Sequence, residues 1–324
     1  MIRQVMNSAA RIFLLLSAIL CLHTAGKGQG TVSLGFYNLE NFYDTVPSPF
    51  YDDRDYTPQG RRGWDGERYG QKLDNVARVL DLMALDIVGV AEVENENALR
   101  DLVTRLETDY NYIHRNSRDS RGMDVALLFK GDKFVPLHTE LVPSPSGREF
   151  LYVRGELAGS RVDIVVCHLP SKMNRYSSRS NAMKALYAFV RRLHEADGEA
   201  QPIVMGDFNA LPGERVMREA MAPEYGADTL RRVLFSPFAP LAAKGHGSYN
   251  YRNRWQMIDN IFISPRLEDG GLRYLRCGVF IKDYLLERPG SPREGRPLRT
   301  FCGERYLGGY SDHLPVFLYL EILR

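Results

Sequence analysis

Ile203-Val204-Met205-Gly206-Asp207-Phe208-Asn209 is the stretch on which the reading of this chain turns. A short, β-branched apolar run reads as a buried strand. It stops abruptly at a carboxylate and an amide. Asp207 and Asn209 are two apart, so on an extended segment they leave the same face. The plainer alternative is an Asx turn at a strand end. The same pattern then recurs outward along the chain. Val162–Cys167 runs into His168-Leu169-Pro170-Ser171-Lys172, and Ile258–Ile263 carries Asp259-Asn260. Toward the start, Val32–Tyr37 ends in Asn38-Leu39-Glu40-Asn41, and Asp86–Val90 ends in Ala91-Glu92-Val93-Glu94-Asn95. Toward the end, Ser311-Asp312-His313-Leu314-Pro315 precedes Val316–Leu320, while Val125–Phe129 is a seventh apolar run. Six polar clusters thus sit at strand ends, where α/β folds commonly place their sites.

Helical stripes lie between the runs. Leu73, Val76, Ala77, Leu80 and Ala84 share a face, as do Leu99, Leu102, Val103 and Leu106. Ala182, Ala185, Leu186, Phe189 and Leu193 make a third. Such stripes are core faces. Strands mixed with helices throughout predict an α/β or α+β domain. No linker or repeat divides residues 31–324, which are read as one domain. Val46–Tyr69 and Leu285–Tyr310 read as long loops, which often carry binding function.

The first thirty residues have a different character. Arg3 and Arg11 precede the apolar run Ile12–Leu22, and small residues follow at Ala25 and Gly26. This is the pattern of a secretory signal, with cleavage expected between Ala25 and Gly30. The run is short for a membrane span, so the protein is expected to be exported to the periplasm or beyond, without membrane insertion and as a monomer. A lipid anchor at Cys21 is disfavoured by the bulky Leu20. Of four cysteines, cleavage leaves Cys167, Cys277 and Cys302. Cys167 reads as core, and pairing of Cys277 with Cys302 is an open expectation.

With 44% hydrophobic and 25% charged residues, the 324-residue chain is neither disordered nor a small disulfide scaffold. Removing the two leader arginines from 42 basic residues leaves 40 against 40 acidic. That excludes a protein holding a long stretch of nucleic acid by net charge alone. A cleft that touches a few phosphates needs no such excess.

Asn38, Glu92, His168, Gly206-Asp207-Phe208-Asn209, Asp259 and Ser311-Asp312-His313, in this order, resemble the endonuclease/exonuclease/phosphatase superfamily, and the resemblance spans the mature chain. It implies a four-layered α/β sandwich, with two mostly antiparallel sheets face to face and helices outside. It also implies hydrolysis of a phosphate ester by activated-water attack. His168, Asp207, Asn209, Asp259 and His313 would then be catalytic. Glu92, with Asn38 and Asp312, would hold Mg²⁺, with Mn²⁺ and Ca²⁺ as alternatives. Asp259 would pair with His313, and the general base is left open between Asp207 and His313. His168 would hydrogen-bond a phosphate oxygen or protonate the leaving group, with Asp124 a candidate to orient it. Arg121, Asp124, Ser171 and Lys172 are candidate substrate-binding residues.

The substrate is less defined than the chemistry. The basic run from Lys172 to Arg192 and the arginines of Leu285–Tyr310 suit a polyanion. Tyr37–Asp44 and His168–Lys172 resemble a bacterial secreted subgroup described as extracellular nucleases. The expectation is a secreted, metal-dependent nuclease acting on DNA, with RNA left open. The alternatives are a sphingomyelinase-like or inositol-polyphosphate phosphoesterase on the same fold.

Overall fold

The structure, a computed structural model, describes residues 30–221 and 233–323. The leader, its cleavage site and Cys21 lie outside the described residues. In chain order the elements are β1 (Thr31–Phe42), α1 (Gly66–Met83), β2 (Ile87–Val93), α2 (Glu96–Val103), β3 (Asn111–His114), β4 (Asp124–Phe129), β5 (Phe134–Val142), β6 (Phe150–Leu157) and β7 (Ser160–His168). There follow α3 (Tyr176–Ala196), β8 (Pro202–Asp207), α4 (Arg215–Met221), α5 (Ala239–Ala243), β9 (Tyr249–Tyr251), β10 (Arg254–Gln256), β11 (Asp259–Ile263), β12 (Leu272–Val279), β13 (Phe301–Cys302), β14 (Arg305–Tyr306) and β15 (Val316–Ile322).

Strand alternation builds the layers. Ile164 and Val166 of β7 point into one apolar cluster, while Val165 and Cys167 point into another. The first cluster joins Ile203 and Met205 of β8 to Leu34 and Phe36 of β1 and Leu127 of β4, so it lies between two sheets. The outer faces are covered separately. Leu73, Val76 and Leu80 of α1 pack on Val88 and Val90 of β2. Leu186, Phe189 and Val190 of α3 pack on Val165 and Val204. The result is helix, sheet, sheet, helix, the expected four-layered sandwich. Both faces of the central strands are buried, which is why they read as unbroken apolar runs.

One sheet has the order β12-β15-β1-β2-β4-β3 and the other β11-β8-β7-β6-β5. Each contains one parallel pair, β1 with β2 and β7 with β8, and its other pairs are antiparallel. Parallel pairing brings two strand C-termini to one end. Both pairs end at the same end of the sandwich, where antiparallel β11 begins.

The strands β5, β6 and β12 are not among the apolar runs read from the sequence, although Phe150-Leu151-Tyr152-Val153 of β6 has strand character. β5 and β12 are edge strands with largely exposed side chains, so alternation against a single core face is weak there. Cys277 and Cys302 are free thiols, which corrects the possible disulfide. The Cys277 thiol donates to the Pro237 carbonyl instead, at 3.2 Å.

Gly206 pairs in register with Cys167. A Cβ at Gly206 would lie 2.2 Å from the Cys167 carbonyl oxygen, so the glycine of the Gly-Asp-Phe-Asn motif is required by strand contact. Gly206→Ala is expected to cost ~1–3 kcal/mol through overpacking, seen as a lower midpoint in thermal unfolding. An unchanged midpoint would mean that the two strands separate at no cost.

Candidate active site

The shared end of the two sheets gathers the predicted side chains. His168 and Asp207 are register partners at the ends of β7 and β8, and Asp207 is also opposite Asp259. From the other sheet come Asn38 and Glu92. The β1–β2 ladder slips between Asn38 and Phe42, and Glu92 has a left-handed backbone with φ of 62°. Glu40, Asn41 and Asn209 are left-handed too, with φ of 54°, 48° and 48°. Such backbone costs energy in non-glycine residues and collects where side chains must be re-aimed. Here it turns the Asn41 N–H onto Glu92 Oε2 at 2.7 Å.

Asp259 and His313 form a tight pair, with Nδ1 2.7 Å from Asp259 Oδ2. The Ser248 hydroxyl donates to the same oxygen at 2.5 Å. This leaves His313 Nε2 facing Asp207 Oδ2 and Asp312 Oδ1, each 3.9 Å away. The Tyr249 ring lies over the imidazole with centroids 4.9 Å apart. The Ser311 hydroxyl donates to the Asn38 carbonyl at 2.7 Å and accepts the His313 N–H, tying this turn to β1.

Asp207 is buried at the centre. Its Oδ1 accepts the Asn209 N–H at 2.8 Å, and its Oδ2 accepts from Asn38 and Asn209 side-chain amides at 3.2 Å each. Burial, then the nearby Asp259 carboxylate, pushes its pKa up to about 7. Burial opposes a charged His313, but Asp259, Asp207 and Asp312 outweigh it and hold the imidazole well above its usual value. His168 goes the other way. Burial, then the Arg148 and Arg121 guanidiniums, pushes it well down, so its imidazole is neutral near pH 7.

The donors suit a hard divalent cation. Glu92, Asp207 and Asp312 line one cleft, and oxygen ligands are what such an ion takes. Glu92 is the best placed of them. Its Oε1 meets only the Asn38 amide at 3.2 Å and stands 3.6 Å from His168 Nε2. Asp312 Oδ2 is occupied by Arg299 at 2.8 Å, leaving its other oxygen toward the site. Asn38 offers its amide N–H to the carboxylates, while its oxygen accepts the Glu40 N–H. Ligand atoms of Asp207, Asp259 and His313 also lie within 4.8 Å of one another. There the Asp259–His313 hydrogen bond and the Ser248 bond already fill Asp259 Oδ2, so that group reads as a proton-handling pair.

Arg121, Ser171 and Lys172 line the cleft as expected. Asp124 does not. It pairs with His114 Nε2 at 3.0 Å and accepts the Ser117 N–H, in the other sheet from His168, so it neither orients that histidine nor binds substrate. The residue that touches His168 is Arg148, with Nη1 2.9 Å from Nε2 and 3.2 Å from the Leu169 carbonyl. Its Nε is held by Asp119 at 3.0 Å. Arg148 sits in the turn between β5 and β6, and nothing in its local sequence marks it. Ser248 and Tyr249 were equally silent. Arg179, from the basic run, is not at the phosphate site. It braces Asn209 through its carbonyl at 3.0 Å and pairs with Glu214.

A buried Asp–His pair, a carboxylate–amide pair and a neutral histidine around one oxygen-lined cleft define a metal-dependent phosphoesterase class of site. A family model described as endonuclease/exonuclease/phosphatase family matches residues 33–322, and the chain belongs to that family. Solved structures share the fold. An endonuclease/exonuclease/phosphatase family protein from Bacteroides thetaiotaomicron superposes with a TM-score of 0.60 at 19% identity, covering 90% of this chain and 98% of that one. The mannosyl-6-phosphatase of Bacteroides thetaiotaomicron gives 0.59 at 18%, covering 89% and 99%. D. rerio TDP2 complexed with single strand DNA product gives 0.59 at 14%, covering 90% and 99%. No curated protein sequence matches the chain.

Proposed function

We propose that this protein is an exported, Mg²⁺-dependent phosphodiesterase that cleaves nucleic-acid strands. The observation that carries the reading is the shape and lining of the cleft. A cavity of about 860 Å³ holds Glu92, His168, Asp207, Asn209 and His313. It shares Asn41 and Arg121 with a neighbouring cavity of about 840 Å³, and Tyr249, Tyr251 and Asp312 with one of about 540 Å³. A row of adjoining cavities beside the reacting centre leaves room for a strand, where a compact phosphate ester needs only one. The DNA-bound TDP2 on the same fold agrees with this. Export rests on the basic, then apolar, then small-residue start of the chain.

The residues divide the work. A phosphodiester in the cleft meets Arg148, whose guanidinium is held in place by the neutral His168 imidazole and by Asp119. Asp207, held near neutral pH by burial, takes the proton of the attacking water, and Asn209 fixes its orientation. His313, kept charged by Asp259, stabilises the negative charge that builds on the phosphate and gives its Nε2 proton to the leaving oxygen as the bond from phosphorus to that oxygen breaks. A divalent ion at Glu92 would supply Lewis-acid polarisation of a phosphate oxygen. Among the described residues, the exposed large apolar side chains that line the cleft are Met173 and Tyr251, a small area for docking on a lipid surface, so the sphingomyelinase-like alternative gains little.

The test is nicking of supercoiled plasmid by the metal-stripped mature chain, with and without Mg²⁺. Nicking is expected only with Mg²⁺, falling to background with chelator. Cleavage that survives full chelation would overturn the metal assignment. Release of inorganic phosphate from sugar or inositol phosphates, without any nicking, would overturn the nuclease reading.

A further inference from the structure

Beyond Asp312 the cleft opens into the cavity of about 540 Å³, lined by Tyr249, Tyr251, Arg252, Arg293, Arg296 and Arg299. Its charges are not balanced. Arg293 pairs with Glu287 at 2.5 Å, and Arg299 lies between Glu40 and Asp312. Arg252 and Arg296 have no carboxylate within ion-pairing distance among the described residues. Arg296 Nε instead donates to Asn253 Oδ1 at 2.9 Å, and the Arg252 guanidinium lies 5.2 Å from the centre of the Tyr251 ring.

The backbone beneath them is unusual. Arg252 and Asn253 form the two-residue turn of the β9–β10 hairpin, with φ of 49° and 64°. Such a turn favours Asn-Gly, and a long side chain at its first position is disfavoured. The same hairpin carries Tyr249, whose ring packs at a tilt of 35° against the catalytic imidazole, and Tyr251, which is 49% exposed. The hairpin therefore carries Arg252 beside the reacting centre and holds Arg296 there through Asn253. Guanidinium pairs phosphate bidentately, and an exposed ring beside it gives a base a stacking face.

We propose that Arg252 and Arg296 form a second phosphate subsite, which holds the backbone phosphate neighbouring the scissile one on a nucleic-acid strand. The proposal rests on the nucleic-acid reading given above.

The experiment measures binding and cleavage separately. Fluorescein-labelled hexathymidylate is titrated by anisotropy, in Mg²⁺, against Asp207→Asn protein and against the same protein with Arg252→Gln and Arg296→Gln. Thermal unfolding checks both folds, and single Gln variants serve if the double variant does not fold. Affinity is expected to fall about tenfold, and the dependence of log Kd on log salt to become shallower by about 0.7 for each phosphate no longer neutralised. Equal affinity and slope in the two proteins, or no binding to either, would overturn the subsite. Hexathymidylate that is held through these arginines, yet left intact by protein with Asp207, would support the subsite while removing the nuclease function.

Discussion

Asp207→Asn is expected to lower the rate constant for strand cleavage by at least about 10³-fold while removing the loss of stability that the parent suffers as pH rises. The first effect follows from position. Asp207 lies between Asn38, Asn209, His168 and His313, and its pKa near 7 suits a base working at neutral pH. An amide of the same shape keeps the packing and cannot take a proton. Single-turnover cleavage would measure the loss, and a variant within tenfold of the parent would move the base role to His313. The second effect follows from burial. In the folded chain this carboxyl keeps its proton to about 7, whereas its ordinary value is 3.8. Between those values the folded state binds more protons than the unfolded state, so the parent loses stability as pH rises. Asparagine does not titrate. In chelator, its Tm relative to the parent's should therefore rise from pH 4 to pH 6, below the ordinary range of His313. A constant difference across that window would contradict the buried, proton-retaining state of Asp207.

The parts of this site that were legible in sequence share one property. His168, Asp207 and Asp259 each adjoin an apolar strand buried on both faces, so local pattern gives both the strand and its polar end. Asn38 and Glu92 are similar, because β1 and β2 are equally buried. What local pattern cannot give is pairing across sheets. Asp124 also begins a buried strand, yet its neighbour is β3, so it meets His114. Arg148 reaches His168 from a turn twenty residues away in a segment with no periodicity. Ser248 and Tyr249 belong to a short hairpin that becomes meaningful only when Asp259 and His313 converge on it. The basic loop was visible as composition, but composition could not separate Arg299, spent on Glu40 and Asp312, from Arg296, which has no acidic partner among the described residues.

Behind the site, Lys72→Ala is expected to destabilise the protein by ~2–5 kcal/mol, the scale for truncating a long buried side chain to alanine and leaving its hydrogen-bond partners unpaired. Lys72 lies on α1 and is 1% exposed. Its Nζ donates to the Thr300 hydroxyl at 2.7 Å and the Tyr310 carbonyl at 2.6 Å. Thr300 N–H and Arg299 both bind Glu40, and Arg299 reaches on to Asp312. Lys72 thus fastens the segment before Ser311-Asp312-His313 to the helix layer. Alanine would leave the Tyr310 carbonyl unpaired, remove the favourable charge near buried Glu40 and open a void. Lys72→Met refills most of the volume, so its cost should be smaller, and the difference isolates packing from charge. Burial lowers the Lys72 pKa from 10.5 to about 8. Between those values the unfolded chain holds more protons, so the Lys72 contribution to stability rises with pH there. Denaturant unfolding at pH 7 and pH 10 should show that rise in the parent and lose it in Lys72→Met. A Lys72→Ala protein within 1 kcal/mol of the parent would mean that the segment is held by Glu40 and Arg299 alone. If the fastening acts through Lys72, Lys72→Met should also lower kcat for cleavage, because Asp312 and His313 are positioned by the same segment.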